Sequence, residues 1–420
     1  MIGLTALLMP ISKPKLATMI SVAEAIRILL ANTSTLPSEL ISLRNAAGRI
    51  LAEDIVADSD LPPFDRAQMD GYAVRATDVA ETPARLRIVG ESAAGAGWHQ
   101  EMKAGEAVRI MTGAPVPSGA DAVQQVELTR EVNGAGVVEI LEAVSEGRSI
   151  VRQASEIKSG TTVLRAGEEI NAAMIATLAS FGYAHVKVGA RPRVAVLATG
   201  SELVEVDKKP GRDQIRDSNN YMIEAYAARC GAQVELLPLA GDDTEELKRE
   251  IAQAAARSDV VITSGGVSMG VYDFTKAAFK ELGAEIFFER VALRPGKPTV
   301  FGRLGKALLF GLPGNPVSVA VTFNLFARAA LLTMQGATYA TLRSENAILA
   351  KNVKGSRDRE SYLPGTLTTS SEGQLMVEPL KWGGSSDFVG FVRATSLIIV
   401  PSDTGVLEAG TKVRVVHLPQ

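Results

Sequence analysis

The sequence predicts a multidomain α/β plus β protein, in which an α/β core on a parallel sheet is set between two β-rich units. Three observations carry this reading. The chain has 420 residues, too many for one ordinary core and enough for two to four domains. Between Arg193 and Leu282, buried-strand runs alternate with amphipathic helical runs, the pattern of a parallel sheet covered on both faces. From about Leu43 to Glu156, and again past about Gly336, short apolar runs alternate with Gly- and Pro-rich turns, the texture of mostly β structure.

Taken in order, Ser21-Val-Ala-Glu24 opens a helix reaching Leu30, with the spacing of a capping box. The first β unit offers strands at 86–89, 107–111, 122–126 and 137–141, and a helix follows at 171–181. In the core, strands are expected at 193–199, 234–239 and 259–263, with helices at 218–230, 244–256 and 274–282. The last β unit closes with a strand at 412–417.

Composition excludes several classes. A net charge of −3 without a Lys/Arg run gives no footprint for nucleic acid. One cysteine, Cys230, rules out an intrachain disulfide framework and fits a reducing, cytoplasmic setting. With that thiol and three scattered histidines (His99, His185, His417), any metal would be a hard one held by carboxylates. The short apolar stretch at 4–9 lacks a basic flank and a cleavage site, so no signal peptide is expected. No run long enough for a membrane span is read.

Candidate chemistry gathers past the strand ends of the core. Glu202, Asp217, Asp242 with Asp243, and Asp273 each follow a predicted strand, where doubly wound sheets bind ligands and carboxylates can hold Mg²⁺ on phosphate oxygens. Helix capping accounts equally for Asp217 and Asp243; converging loops favour Glu202, Asp242 and Asp273. Ser264-Gly265-Gly266-Val-Ser268 is a Gly-rich strand-to-helix loop, fit to approach an anion or required by a tight turn. Leu312-Pro313-Gly314-Asn315-Pro-Val-Ser318 opens a helix with Asn315 as N-cap, either a plain cap or an oxyanion seat. Arg290, Arg294 and Lys297 bring cations near these loops on a proline-stiffened turn. In the first β unit, Asp65 and Asp70 sit in a rigid Pro-Pro loop, and Thr112 follows a strand into a turn.

These segments together resemble the molybdopterin molybdenumtransferase family, which includes the E domain of gephyrin. The matching pieces are PPFDRAQMDGYAV at 62–74, GEAVRIMTGAPVPSGADAV at 105–123, ATGSELV at 198–204 and RDSNNYMI at 216–223. They continue with TSGGVSMGVYDFTK at 263–276, LRPGKP at 293–298 and GLPGNPVSVA at 311–320. The resemblance implies a discontinuous α-rich domain (18–44 and 157–190), a β-rich domain (45–156), a molybdopterin-binding three-layer α/β core (191–336) and a C-terminal β-barrel (337–420). It implies a homodimer with composite sites, and a transient contact with the molybdopterin adenylyltransferase. The implied reaction inserts molybdate into adenylylated molybdopterin with release of AMP and a need for Mg²⁺.

Carried over by motif, Glu202, Asp242 and Asp273 are the metal-binding and catalytic acids, with Thr112 beside them in catalysis. Substrate binding falls to Asp65, Asp70, Arg290, Arg294, Lys297, Ser264, Gly265, Gly266, Ser268, Pro313, Gly314, Asn315 and Ser318. Arg359, Glu360 and Tyr362 fit the barrel's basic-aromatic motif loosely. One departure stands out: where the family often has Gly-Glu-Asp, this chain has Ala154-Ser155-Glu156, a carboxylate one methylene longer. Two other readings compete, a peptide-binding scaffold and a nucleotide-processing hydrolase with a related core. The absence of a long linker or fused domain disfavours the first, and the 62–74 motif and the terminal barrel disfavour the second.

Overall fold

The computed structural model describes residues 19–132, 134, 136–239, 244–266 and 274–419. The apolar stretch at 4–9, and Asp242, Asp243, Ser268 and Asp273, lie outside the described residues. The chain divides into two compact units, one of Met1–Glu53, Ala166–Asn171 and His185–Gln420, the other of Asp54–Arg165 and Ala172–Ala184.

In the larger unit, Ser21 Oγ accepts the Glu24 N–H at 3.1 Å and starts the helix Val22–Ala31. The Glu24 carboxylate pairs with Arg27 rather than reaching back to complete the capping box. The core follows as β1 (Arg193–Ala198), α1 (Asn219–Arg229), β2 (Gln233–Leu236), α2 (Thr244–Arg257), β3 (Val260–Ser264) and α3 (Phe274–Glu281). It continues with β4 (Glu285–Phe288), β5 (Val300–Leu304) and β6 (Ala307–Leu312), then a helix, α4 (Pro316–Met334). The sheet order is β2-β1-β3-β6-β5-β4. The first four strands are parallel. Strand β5 alone is reversed, antiparallel to both of its neighbours, β6 and β4, and the sequence pattern places none of these three strands. Only Gly305 and Lys306 separate β5 from β6, which permits a hairpin and no crossover.

Pleating sends alternate side chains to opposite faces, and helices cover both, as expected. Val194, Val196, Ile262 and Phe310 join Ile223 of α1 and Phe323 and Phe326 of α4. Ala195, Leu197, Val261 and Leu309 join Leu247 and Ile251 of α2 and Phe279 of α3. The expectation of no span-length apolar run is corrected by α4, which is long and apolar enough to cross a membrane. It is mostly buried, and its apolarity on all sides is that of a core helix.

Beyond the core, Ser344–Leu349, Glu360–Thr369, Leu375–Pro379, Ser396–Val400 and Lys412–His417 close into the expected barrel. Pairing between Glu360–Thr369 and Ser396–Val400 joins its ends, and Leu349, Leu363, Val377, Ile398 and Val415 fill it. The smaller unit holds a six-stranded sheet in the order Ala122–Gln125, Gly71–Val74, Glu106–Ile110, Ala84–Ser92, Val137–Ile140, Thr129–Val132. Tyr72, Leu86 and Ile140 pack on one face, Ala73, Val108 and Val123 on the other.

Candidate active site

Parallel register brings three segments to one edge of the core. Ala198, Ser264 and Leu312 end β1, β3 and β6 in line with one another, so the loops after them lie side by side at the carboxyl edge. The Thr199 N–H donates to the Ser264 carbonyl at 3.0 Å, and the Gly265 N–H to the Leu312 carbonyl at 3.2 Å. Between these loops and the start of α1 opens a cavity of about 1180 Å³. Glu202, Ser264, Gly265, Gly266, Pro313, Gly314 and Asn315 all line it.

Each of these residues is held for an identifiable reason. Gly265 has φ +93°, and a Cβ there would stand 2.4 Å from the Thr199 carbonyl oxygen. A Cβ at Gly266 would stand 2.6 Å from Thr275 Oγ1. The protein's own packing therefore demands both glycines, which favours the tight-turn account of that loop. Ser264 is a lining residue only 1% exposed, and its buried hydroxyl has no hydrogen-bond partner among the described residues. A buried hydroxyl left so is costly unless something else meets it. The Glu202 carboxylate folds over Gly200, where a Cβ would lie 2.5 Å from Oε2.

Asn315 occupies the N-cap position of α4, as expected, but its side chain makes no capping bond. Pro316 has no N–H, and the Ser385 carbonyl takes the Val317 N–H at 3.0 Å, so little is left to cap. Asn315 Nδ2 instead donates to Ser385 Oγ at 3.0 Å. This ties the strand-end loop to the segment whose Ser386 and Phe388 also line the cavity. Ser318 is buried in the first turn of α4 and stays out of the lining.

Asp217 lines the cavity as well, but its carboxylate accepts from the Asn219 and Asn220 N–H groups at 3.0 and 3.1 Å, capping α1. Burial, opposed by those two bonds, pushes its carboxyl above the ordinary range. The cations are placed apart. Arg294 reaches the Gly355 carbonyl at 3.5 Å and lines a second cleft of about 340 Å³ with Asn352, Lys354 and Trp382. Arg290 and Lys297 are half-buried and line neither cleft.

Asp65, Asp70 and Thr112 belong to the smaller unit. There, the Thr112 N–H and hydroxyl both donate to Asp70 Oδ1 at 2.7 Å, a pairing of residues 42 positions apart. The Thr112 N–H first, then its hydroxyl, hold the Asp70 carboxyl below its ordinary pKa. Asp65 accepts from Arg152 Nη1 at 2.6 Å and from the Gln153 N–H at 2.7 Å. Glu156 pairs with Arg66 at 3.3 Å. In the barrel, Tyr362 donates to Glu360 at 3.1 Å.

Sequence reasoning does not single out Asn219, Ser386 or Phe388. Two asparagines just past Asp217 were the available signal for the first. The others depend on a tie across 70 residues, which no local pattern carries.

Residues 20–182 match the family model described as MoeA N-terminal region (domain I and II), and 195–333 match the probable molybdopterin binding domain. Residues 346–418 match the MoeA C-terminal region (domain IV). The molybdopterin molybdenumtransferase of Haemophilus influenzae is 36% identical over 380 residues, covering 90% of this chain and 93% of that protein. The Bacillus subtilis protein of the same name is 36% identical over 405 residues, covering 95% and 94%. A crystal structure of the molybdopterin biosynthesis moeA protein from Pyrococcus horikoshii OT3 superposes with a TM-score of 0.81 at 28% identity, covering 96% of this chain and all of that one.

Proposed function

Because the chain belongs to the molybdopterin molybdenumtransferase family, we propose that its core cavity seats adenylylated molybdopterin and joins molybdate to the dithiolene with release of AMP. The protein is a molybdenumtransferase of molybdenum cofactor biosynthesis. The observation that carries the substrate assignment is the cavity itself, lined by residues of three strand-end loops, among them Ser264, whose buried hydroxyl has no partner among the described residues.

In this reading the loops position rather than react. Ser264 and the loop N–H groups orient the pyrophosphate, and the cations Arg290, Arg294 and Lys297 draw molybdate. A molybdate oxygen attacks the pterin-side phosphorus, the anhydride bond breaks, and AMP leaves with the electron pair. The two dithiolene sulfurs then bond the molybdenum as two of its bonds to oxygen break, one oxygen staying on the pterin phosphate and the other leaving as water with the two thiol protons. Mg²⁺ suits the donor chemistry, since no histidine or cysteine is among the described residues that line the cavity and Glu202 offers a carboxylate there. Mg²⁺ commonly keeps its waters and takes one or two carboxylates with substrate phosphates. Glu202, Asp242 and Asp273 would hold it, and it would neutralise charge on the pyrophosphate. Asp70 and Thr112 complete the site in a homodimer. The division into four domains, a cytoplasmic setting and a transient contact with the adenylyltransferase belong to the same proposal; the lone cysteine, Cys230, supports the setting.

Incubation of the purified protein with adenylylated molybdopterin tests this. AMP should appear when molybdate and Mg²⁺ are added together. Release that ignores molybdate would mark a hydrolase instead.

A further inference from the structure

Asn219 opens α1 at the cavity wall. Its Nδ2 donates to the Gly314 carbonyl at 2.7 Å, a bond that fixes which end of the amide points where. The other end, Oδ1, is buried and has no partner among the described residues. The amide is thus pinned by its donor while its acceptor has no partner among the described residues, as is true of the hydroxyl of Ser264, another lining residue of the same cavity. Glu202 adds a second acceptor residue to the same lining. Phe274 and the half-exposed Phe388 add apolar surface suited to a flat ring.

We propose that Asn219 is a specificity-determining residue whose Oδ1 accepts a hydrogen bond from the N3–H and 2-amino edge of the pterin. The inference rests on the reading of this cavity as the molybdopterin seat. Pterin presents two adjacent donors on that edge. Adenine alternates a donor with an acceptor and would ask the wall for a donor in return. The Asn219 amide's own donor is already spent on Gly314, so this residue matches pterin and mismatches adenine.

Calorimetric titration under anaerobic conditions decides this, using wild type, Asn219→Ala and Asn219→Asp, each with molybdopterin and with AMP. Asn219→Ala should weaken molybdopterin binding about tenfold or more, the effect of leaving a buried donor unmet. Its AMP affinity should stay unchanged. Asn219→Asp keeps an acceptor and loses the tie to Gly314, so it should bind molybdopterin better than Asn219→Ala. Wild-type molybdopterin affinity in Asn219→Ala overturns the inference. So does equal weakening of both ligands in both variants, which would make Asn219 a strut, and so does loss of AMP binding alone. If wild type binds no molybdopterin, the functional reading falls first and the inference with it.

Discussion

Asp70 accepts two hydrogen bonds from one residue, Thr112, and its carboxyl titrates below its ordinary range as a result. A group depressed in this way stabilises the fold above its unfolded pKa, and that contribution is lost as pH falls through the folded value. The melting temperature of wild type should therefore exceed that of Asp70→Asn by a constant margin from neutrality down to roughly pH 4, and the margin should vanish in stronger acid. A margin that grows on acidification would reverse the sign and refute the pairing. Glu156 presents a different balance. Its ion pair with Arg66 is half-exposed on both sides, and such pairs contribute about 0–1 kcal/mol. Glu156→Ala should barely shift thermal unfolding, while Glu156→Asp should be tolerated in turnover. Slower turnover in Glu156→Ala at unchanged stability would mark a substrate or metal role; turnover and Mg²⁺ dependence as in wild type would mark a solvated loop acid.

At the scale of elements, the strand-end loops separate two kinds of glycine. Gly265 is trapped against Thr199 at φ +93°, so Gly265→Ala should cost roughly 1–3 kcal/mol of stability, read as a lowered melting temperature. A Cβ at Gly314 would meet only the Gly265 Cα, at 3.6 Å. Gly314→Ala should melt like wild type, and any loss should appear in substrate affinity. Equal melting of the two variants would contradict this division. The main elements of the core were legible in the sequence, because buried strands and amphipathic helices differ in apolar period, and the helix Thr244–Arg257 begins at the residue expected. Strands β4, β5 and β6 were not, since no helix separates Glu285–Phe288, Val300–Leu304 and Ala307–Leu312, and the strand-to-helix alternation that marks the earlier strands stops there. The site was legible as motifs, whereas its wiring was not. Asn219 meets Gly314 across 95 residues and Asn315 meets Ser385 across 70, and such pairings exist only once the sheet has set its register.

For the whole molecule, the Asp70–Thr112 pair and the core cavity belong to separate compact units, and a composite site is proposed to require two copies of the chain. Light scattering should give a dimer at working concentration; a fully active monomer would contradict that part of the account. The central claim is molybdate-dependent chemistry on an adenylylated pterin, with Glu202, Asp242 and Asp273 as the acids behind it. Its most direct test is the rate of AMP release from adenylylated molybdopterin, with and without molybdate, in wild type and in Asp242→Asn and Asp273→Asn. The account predicts release that depends on molybdate and Mg²⁺ in wild type, and a loss of about 10²–10³ in each variant at unchanged melting temperature. AMP release at the wild-type rate in both variants, or release indifferent to molybdate, would contradict it.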